Sequence, residues 1–171
     1  MRALLFSLIL SLSILFTDAA SAVSEGDLAP DFTLPTLNGQ ESKSLSASHG
    51  RIRYLDFWAS WCIACRVSIP EMIDMQQELG EERLEVIAIS VDEWIDDATR
   101  FLSRYSINYD NLSDPQGEIA EAYGLLAMPT SFVIDPEGRI TLVHQGFKPG
   151  DMTAIRAHID ELLGLQPAEP R

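Results

Sequence analysis

The 171-residue sequence predicts an α/β fold with a central mixed sheet flanked by helices, and three observations predict it. Two strand-like tracts, Arg51–Trp58 and Leu84–Val91, enclose an amphipathic segment, which is the pattern of a βαβ crossover. Two further tracts, Ser131–Ile134 and Ile140–Gln145, close on the turn Asp135-Pro136-Glu137-Gly138 and mark an antiparallel hairpin. A last amphipathic helix, Gly150–Leu163, closes the domain with Met152, Ile155, Ile159 and Leu162 directed inward.

The elements follow in order. Met1–Ala22 has the form of a removable export signal: Arg2 supplies the positive charge, Leu4–Phe16 is an apolar run, and Ala20-Ser21-Ala22 offers small residues for cleavage. The run is shorter than the roughly 20 residues of a comfortable span, and an uncleaved segment would instead anchor the protein to the membrane. No cysteine lies near it, which removes lipoprotein attachment. Residues 23–165 are expected to form one domain.

Asp31–Leu45 reads as a small hairpin turning at Asn38-Gly39, an edge addition to the main sheet. Arg51–Trp58 is the first strong strand, aromatic and branched. Ile63–Leu79 reads as a helix ending at Gly80, with Ile69, Met72, Ile73 and Leu79 on one side, Gln76 mostly elsewhere, and Pro70 as a kink. Leu84–Val91 is near-continuously apolar, as a strand buried on both faces must be, and so expects a parallel neighbour. Trp94–Tyr105 and Glu118–Tyr123 are further helices, and Gln166–Arg171 is expected to be a disordered tail. There is no internal repeat.

Composition narrows the function. A net charge of −14 without a basic cluster argues against nucleic acid and anionic lipid as partners. The only two cysteines, Cys62 and Cys65, form one CxxC in the tract FWASWCIACR, so no structural disulfide or second CxxC exists elsewhere. The three histidines are scattered singly, which leaves no tetrahedral zinc site, and no cofactor is expected. Export would place the pair in a compartment where disulfides persist, such as the bacterial periplasm.

LDFWASWC followed by CRVSIP, then AMPTSFVIDPEGRI, together resemble the thioredoxin signature and its cis-proline segment. With the DFTLPTLNGQ hairpin and the added helix at Trp94–Tyr105, the chain resembles the TlpA/ResA-like branch of thiol-disulfide oxidoreductases over roughly residues 27–163. The resemblance implies a thioredoxin fold with an N-terminal β-hairpin and an inserted helix. DFTLPTLNG also resembles the opening of peroxiredoxins, but their PxxxTxxC loop is absent.

Thiol-disulfide exchange needs a thiolate, and a cysteine at a helix N-terminus has its pKa lowered from about 8.5 into the range of about 3.5 to 7.5. Cys62 is therefore the attacking thiol, and Cys65, further in, the resolving one. Asp56 lies within the apolar stretch Tyr54–Trp58, where an unpaired carboxylate is costly. By resemblance it is the base that handles the Cys65 proton. The resemblance also makes Pro129 the cis-proline and places the Met128 backbone against an extended substrate; Trp61 and Thr130 complete the substrate-binding set, and Trp58 either shields the site or packs in the core.

Two departures from the family pattern stand out. Ser68 occupies the place, three residues after the second cysteine, where many relatives carry an acid. The intervening dipeptide is Ile63-Ala64, without the proline frequent in the family.

The resulting expectation is a monomeric periplasmic protein-disulfide reductase that takes electrons from a membrane thiol donor and passes them to disulfides in exported proteins. By resemblance the clients are of the cytochrome c maturation or copper-site assembly type. Two alternatives stay open: a disulfide-donating oxidant, and a Cu(I) metallochaperone using the two thiolates with Met128.

Overall fold

A computed structural model describes residues 22–48 and 50–165. The export segment, apart from Ala22, and the tail from Gln166 lie outside the described residues. A five-stranded sheet runs β5-β4-β3-β6-β7, built from β3 (Ile52–Trp58), β4 (Leu84–Ser90), β5 (Asp110–Ser113), β6 (Thr130–Ile134) and β7 (Ile140–Gln145). β3, β4 and β5 are parallel, β6 is antiparallel to β3, and β7, antiparallel to β6, runs in the direction of β3 again. The sheet is therefore mixed, as the sequence predicts.

Helix α1 (Cys65–Leu79) supplies the crossover from β3 to β4. α2 (Ile95–Leu102) and α4 (Asp151–Leu162) contribute to the same core as α1, through Ala98 and Phe101 and through Met152, Ile155 and Ile159. α3 (Glu118–Ala122) belongs to the opposite core, where Phe57, Tyr123 and Phe132 form a mutual aromatic cluster with centroid separations of 5.0–6.0 Å. β3 divides its side chains between the two cores by strand alternation. Tyr54 and Trp58 enter the first, Leu55 and Phe57 the second.

Several expectations are corrected. The N-terminal hairpin, β1 (Thr33–Pro35) and β2 (Ser42–Ser44), forms its own two-stranded sheet and does not extend the main one. It meets the edge strand β5 through the bridge Thr36 to Leu112, the Leu37 N–H donation to Asn111 O and the Lys43–Asp110 ion pair at 3.3 Å. α1 starts at Cys65, two residues later than expected, and runs through Pro70 to Leu79. α2 is shorter at both ends than Trp94–Tyr105. Leu162 is exposed, because the inward stripe continues from Ile159 to Leu163, one helical turn on, and leaves Leu162 beside it.

β5 is a strand the sequence reading does not contain, since Asp110 and Asn111 are poor strand formers. Pairing with β4 and complete burial of Leu112 override that propensity. β5 is too short to cover the first half of β4. Gln76 does so instead: it is buried, its Nε2 donates to Leu84 O at 3.0 Å, and its Oε1 accepts from the Val86 N–H at 2.8 Å. A glutamine expected on an outer face thus substitutes for a missing ladder neighbour.

Candidate active site

The polypeptide leaves the C-terminal end of β3 at Trp58 and turns through Ala59–Ala64 into α1. Cys62 and Cys65 are disulfide-bonded, with an S–S distance of 2.12 Å and Cα atoms 5.4 Å apart. Cys65 is fully buried and Cys62 retains 4% exposure, so Cys62 is the less covered of the two.

The sulfur of Cys62 also accepts the backbone N–H of Cys65 at 3.1 Å. No side chain caps α1 at Ala64, so Cys62 occupies the place a capping oxygen would take. On reduction, a thiolate there receives that N–H and the positive end of a 15-residue helix. The expected placement of the first thiol at the helix mouth therefore holds even though α1 begins three residues after it.

The loop is pinned by a residue the sequence reading overlooks. Asp92, buried just beyond β4, accepts the Ser60 N–H at 2.9 Å and the Ser60 hydroxyl at 2.7 Å, and also the Ser90 hydroxyl at 2.9 Å. In the sequence Asp92 looks like an ordinary polar residue ending a strand. The available signal is its pairing with serines at the ends of two adjacent parallel strands. Val91 N–H to Trp58 O, 3.0 Å, completes the tie.

Asp56 is fully buried, and neither carboxylate oxygen has a hydrogen-bond partner among the described residues. Burial raises its pKa well above the ordinary carboxylate range. Alternation along β3 puts it on the same face as Tyr54 and Trp58, whose core cluster contains both cysteines.

The polar atoms on this face are unsatisfied as a group: the Tyr54 hydroxyl, Trp58 Nε1 and Tyr109 hydroxyl are also buried without partners. Burial first, and the Asp56 charge second, raise the pKa of both Tyr54 and Tyr109. Ser68 is buried too, its hydroxyl 3.4 Å from Cys65 O, and supplies no charge there.

The Met128–Pro129 peptide bond is cis. Thr130 pairs with Phe57 in the β3–β6 ladder, so the residues just before it lie at the sheet end from which the cysteine loop departs. Thr130 is buried and donates its hydroxyl to Ala127 O at 2.8 Å, so its side chain braces the loop. Pro129 O accepts the Gly146 N–H at 2.7 Å, while Met128 makes no backbone hydrogen bond among the described residues. Trp61 (65% exposed) and Ile63 (78%) on the cysteine loop and Leu126 (81%) on the segment before Pro129 are exposed apolar residues, whereas Trp58 is fully buried and stacked on Phe101 at 5.4 Å. Trp58 is thus a core residue.

No group of three His, Cys, Asp or Glu side chains among the described residues is arranged to hold a metal ion. The arrangement suits two-electron exchange between a dithiol and a disulfide.

Known proteins share this design. The AhpC/TSA family pattern matches residues 26–143. The thiol-disulfide oxidoreductase ResA of Bacillus subtilis is 31% identical over 148 residues, covering 86% of this chain and 79% of the relative. The thioredoxin-like protein YneN of the same organism is 35% identical over 127 residues, 72% of this chain and 73% of the relative. Among solved structures, one assigned as a thiol:disulfide interchange protein DsbE from Chlorobium tepidum superposes with a TM-score of 0.79 at 40% identity, covering 84% of this chain and all of that one. The chain belongs to the AhpC/TSA family and to its ResA-like thiol-disulfide oxidoreductases, with Cys62 and Cys65 as the redox pair.

Proposed function

We propose that this oxidoreductase is exported and acts as a reductant of disulfides in other exported proteins, restored by a thiol donor in the membrane. Cys62 attacks the client disulfide, and Cys65 resolves the mixed disulfide. Asp56 takes the Cys65 proton as its sulfur becomes nucleophilic. Trp61 and the unpaired Met128 backbone beside Pro129 receive the client's extended segment as an added strand. Clients of the cytochrome c maturation or copper-site assembly type fit the family resemblance.

The observation that carries the reductant direction is the buried, unpartnered Asp56 carboxyl on the face occupied by the cysteines. A strong oxidant stabilises its reduced thiolate; here full burial of the inner thiol, on the same face as an unpartnered carboxyl, penalises added negative charge and opposes the stabilisation that the α1 N-terminus gives Cys62. The disulfide state is favoured, which lowers the reduction potential.

The deciding measurement is that potential, read against glutathione by tryptophan fluorescence. A value near about −270 mV fits a reductant, and one near about −120 mV would reverse the direction to disulfide donation. Export is read from the Met1–Ala22 pattern. Mass spectrometry of the secreted protein should find a mature N-terminus at Val23 or Ser24, and an intact Met1 would make it an anchored protein.

A further inference from the structure

Beside the cysteine loop, Ser60, Arg66, Asp97, Arg100, Phe101 and Arg104 line a surface pocket of about 180 Å³. Three of the chain's 12 basic residues meet there, in a protein of net charge −14. Elsewhere among the described residues most cations are engaged: Lys43 and Arg51 with carboxylates, Arg156 with Glu78 and Asp160, and Arg53, Arg83 and Arg139 with backbone carbonyls, Lys148 being the exception. In the pocket, Asp97 is already paired with Arg100 at 3.0 Å. The side chains of Arg66 and Arg104 make no hydrogen bond or ion pair among the described residues, and Arg104 is held over the Phe101 ring at 5.8 Å from its centroid. Acidic residues outnumber basic ones about two to one here, so two convergent unpaired guanidinium groups form a local positive field within an acidic surface.

The walls are fixed and adjoin the chemistry. Ser60, two residues before Cys62, is tied through both its N–H and its hydroxyl to Asp92. Arg66 follows Cys65 in the first turn of α1. Stacking on an aromatic ring limits the freedom of the Arg104 side chain, and guanidinium groups match carboxylate geometry.

We propose that this pocket recognises a carboxylate of the disulfide-bearing partner, an Asp or Glu side chain a few residues from the partner's cysteine, and holds it while Cys62 exchanges. The proposal rests on the exchange activity of the pair. In the step it serves, the Cys62 thiolate bonds to one partner sulfur while the other leaves as thiolate. Cys65 then displaces the partner from Cys62. Two electrons pass from the protein dithiol to the partner disulfide.

The test uses the reduced protein in stopped flow with three disulfide-looped peptides that differ only in carrying Glu, Gln or Lys two positions before the first cysteine. The overall negative charge favours the Lys peptide, whereas the pocket favours Glu, by about threefold over Gln for contacts of this exposure. In the double variant Arg66→Gln/Arg104→Gln the Glu preference should vanish and the Lys peptide should become fastest. The Glu-to-Gln ratio cancels any change in Cys62 reactivity caused by Arg66. Arg83→Gln, remote from the loop, should leave the order unaltered. Equal rates for Glu and Gln in the native protein, or a Glu preference that survives the double variant, would overturn the pocket while leaving the exchange function standing. Failure to reduce any of the three would remove the exchange reading itself, and the pocket with it.

Discussion

Strand β3 sends Leu55 and Phe57 to one side of the sheet and Tyr54, Asp56 and Trp58 to the other, and the two sides treat polar atoms differently. On the α3 side the aromatic cluster is apolar apart from one satisfied hydroxyl, Tyr123 donating to Pro30 O at 2.8 Å, and the buried Arg53 donates to Leu45 O and Asp135 O, leaving only its Nε without a partner among the described residues. On the α1 side, four polar atoms of β3 side chains are buried without partners. Each such group costs about 1–3 kcal/mol. Their concentration on the face shared with Cys62 and Cys65 marks where the fold gives up stability, a cost that the proton chemistry proposed for Asp56 would explain.

Substitutions can break that division. The largest effect belongs to the pair itself: Cys62→Ser should abolish exchange, and Cys65→Ser should leave clients trapped on Cys62 as mixed disulfides recoverable on non-reducing gels. Adducts on Cys65 in a Cys62→Ser background would reverse the assigned roles.

Next comes Phe132→Ala on the α3 side, which should cost about 3–5 kcal/mol in denaturant unfolding. The reduction potential should stay within about 30 mV of the native value, because the lost packing is common to both redox states. A large change in potential would mean that the two faces are coupled.

Asp56→Asn should slow resolution by about 100-fold while sparing the first attack. Equal slowing of both steps would remove its proton-handling role. It also carries a pH signature. Burial raises the folded-state pKa, so above about pH 4 the folded chain keeps a proton that the unfolded chain has lost. Native stability then falls as pH rises, by up to about 1.4 kcal/mol per pH unit, until the folded carboxyl ionises. The asparagine variant lacks this slope, so it should gain on the native protein with rising pH and converge with it near about pH 4. A pH-independent difference would show that Asp56 is not buried as an acid.

Most of the main sheet and the redox pair was legible in the sequence because each rests on a strong local signal: apolar runs for β3 and β4, a Pro-Gly turn for β6–β7, a CxxC entering a helix. β5 was not, because its strand status comes from the neighbour it pairs with and not from Asp110 or Asn111. Gln76 and Asp92 were hidden for a related reason. Their work is to satisfy backbone groups of segments distant in sequence, and no periodicity reports that. Asp56 was legible because a carboxylate in an apolar strand violates the local pattern. Tyr109 was not, because a tyrosine in a loop violates nothing.

Tyr109 therefore offers the smallest and sharpest test. Its hydroxyl is buried, without a partner among the described residues, and within electrostatic reach of Asp56. If this side of the sheet is dry, Tyr109→Phe removes an unsatisfied group and should stabilise the oxidised protein by up to about 1 kcal/mol, with resolution unchanged. If ordered water bridges Tyr109 to Asp56, the same change strands that water, destabilises the protein by a similar amount and slows resolution by about two- to threefold. Thermal unfolding of the oxidised form and single-turnover resolution, measured together on this one variant, separate the cases. A gain in stability with unchanged kinetics would leave Asp56 handling its proton alone. A loss with slowed kinetics would extend the proton route through water to the Tyr109 hydroxyl, and the contrast between the two faces would become one between a wet side and an apolar one.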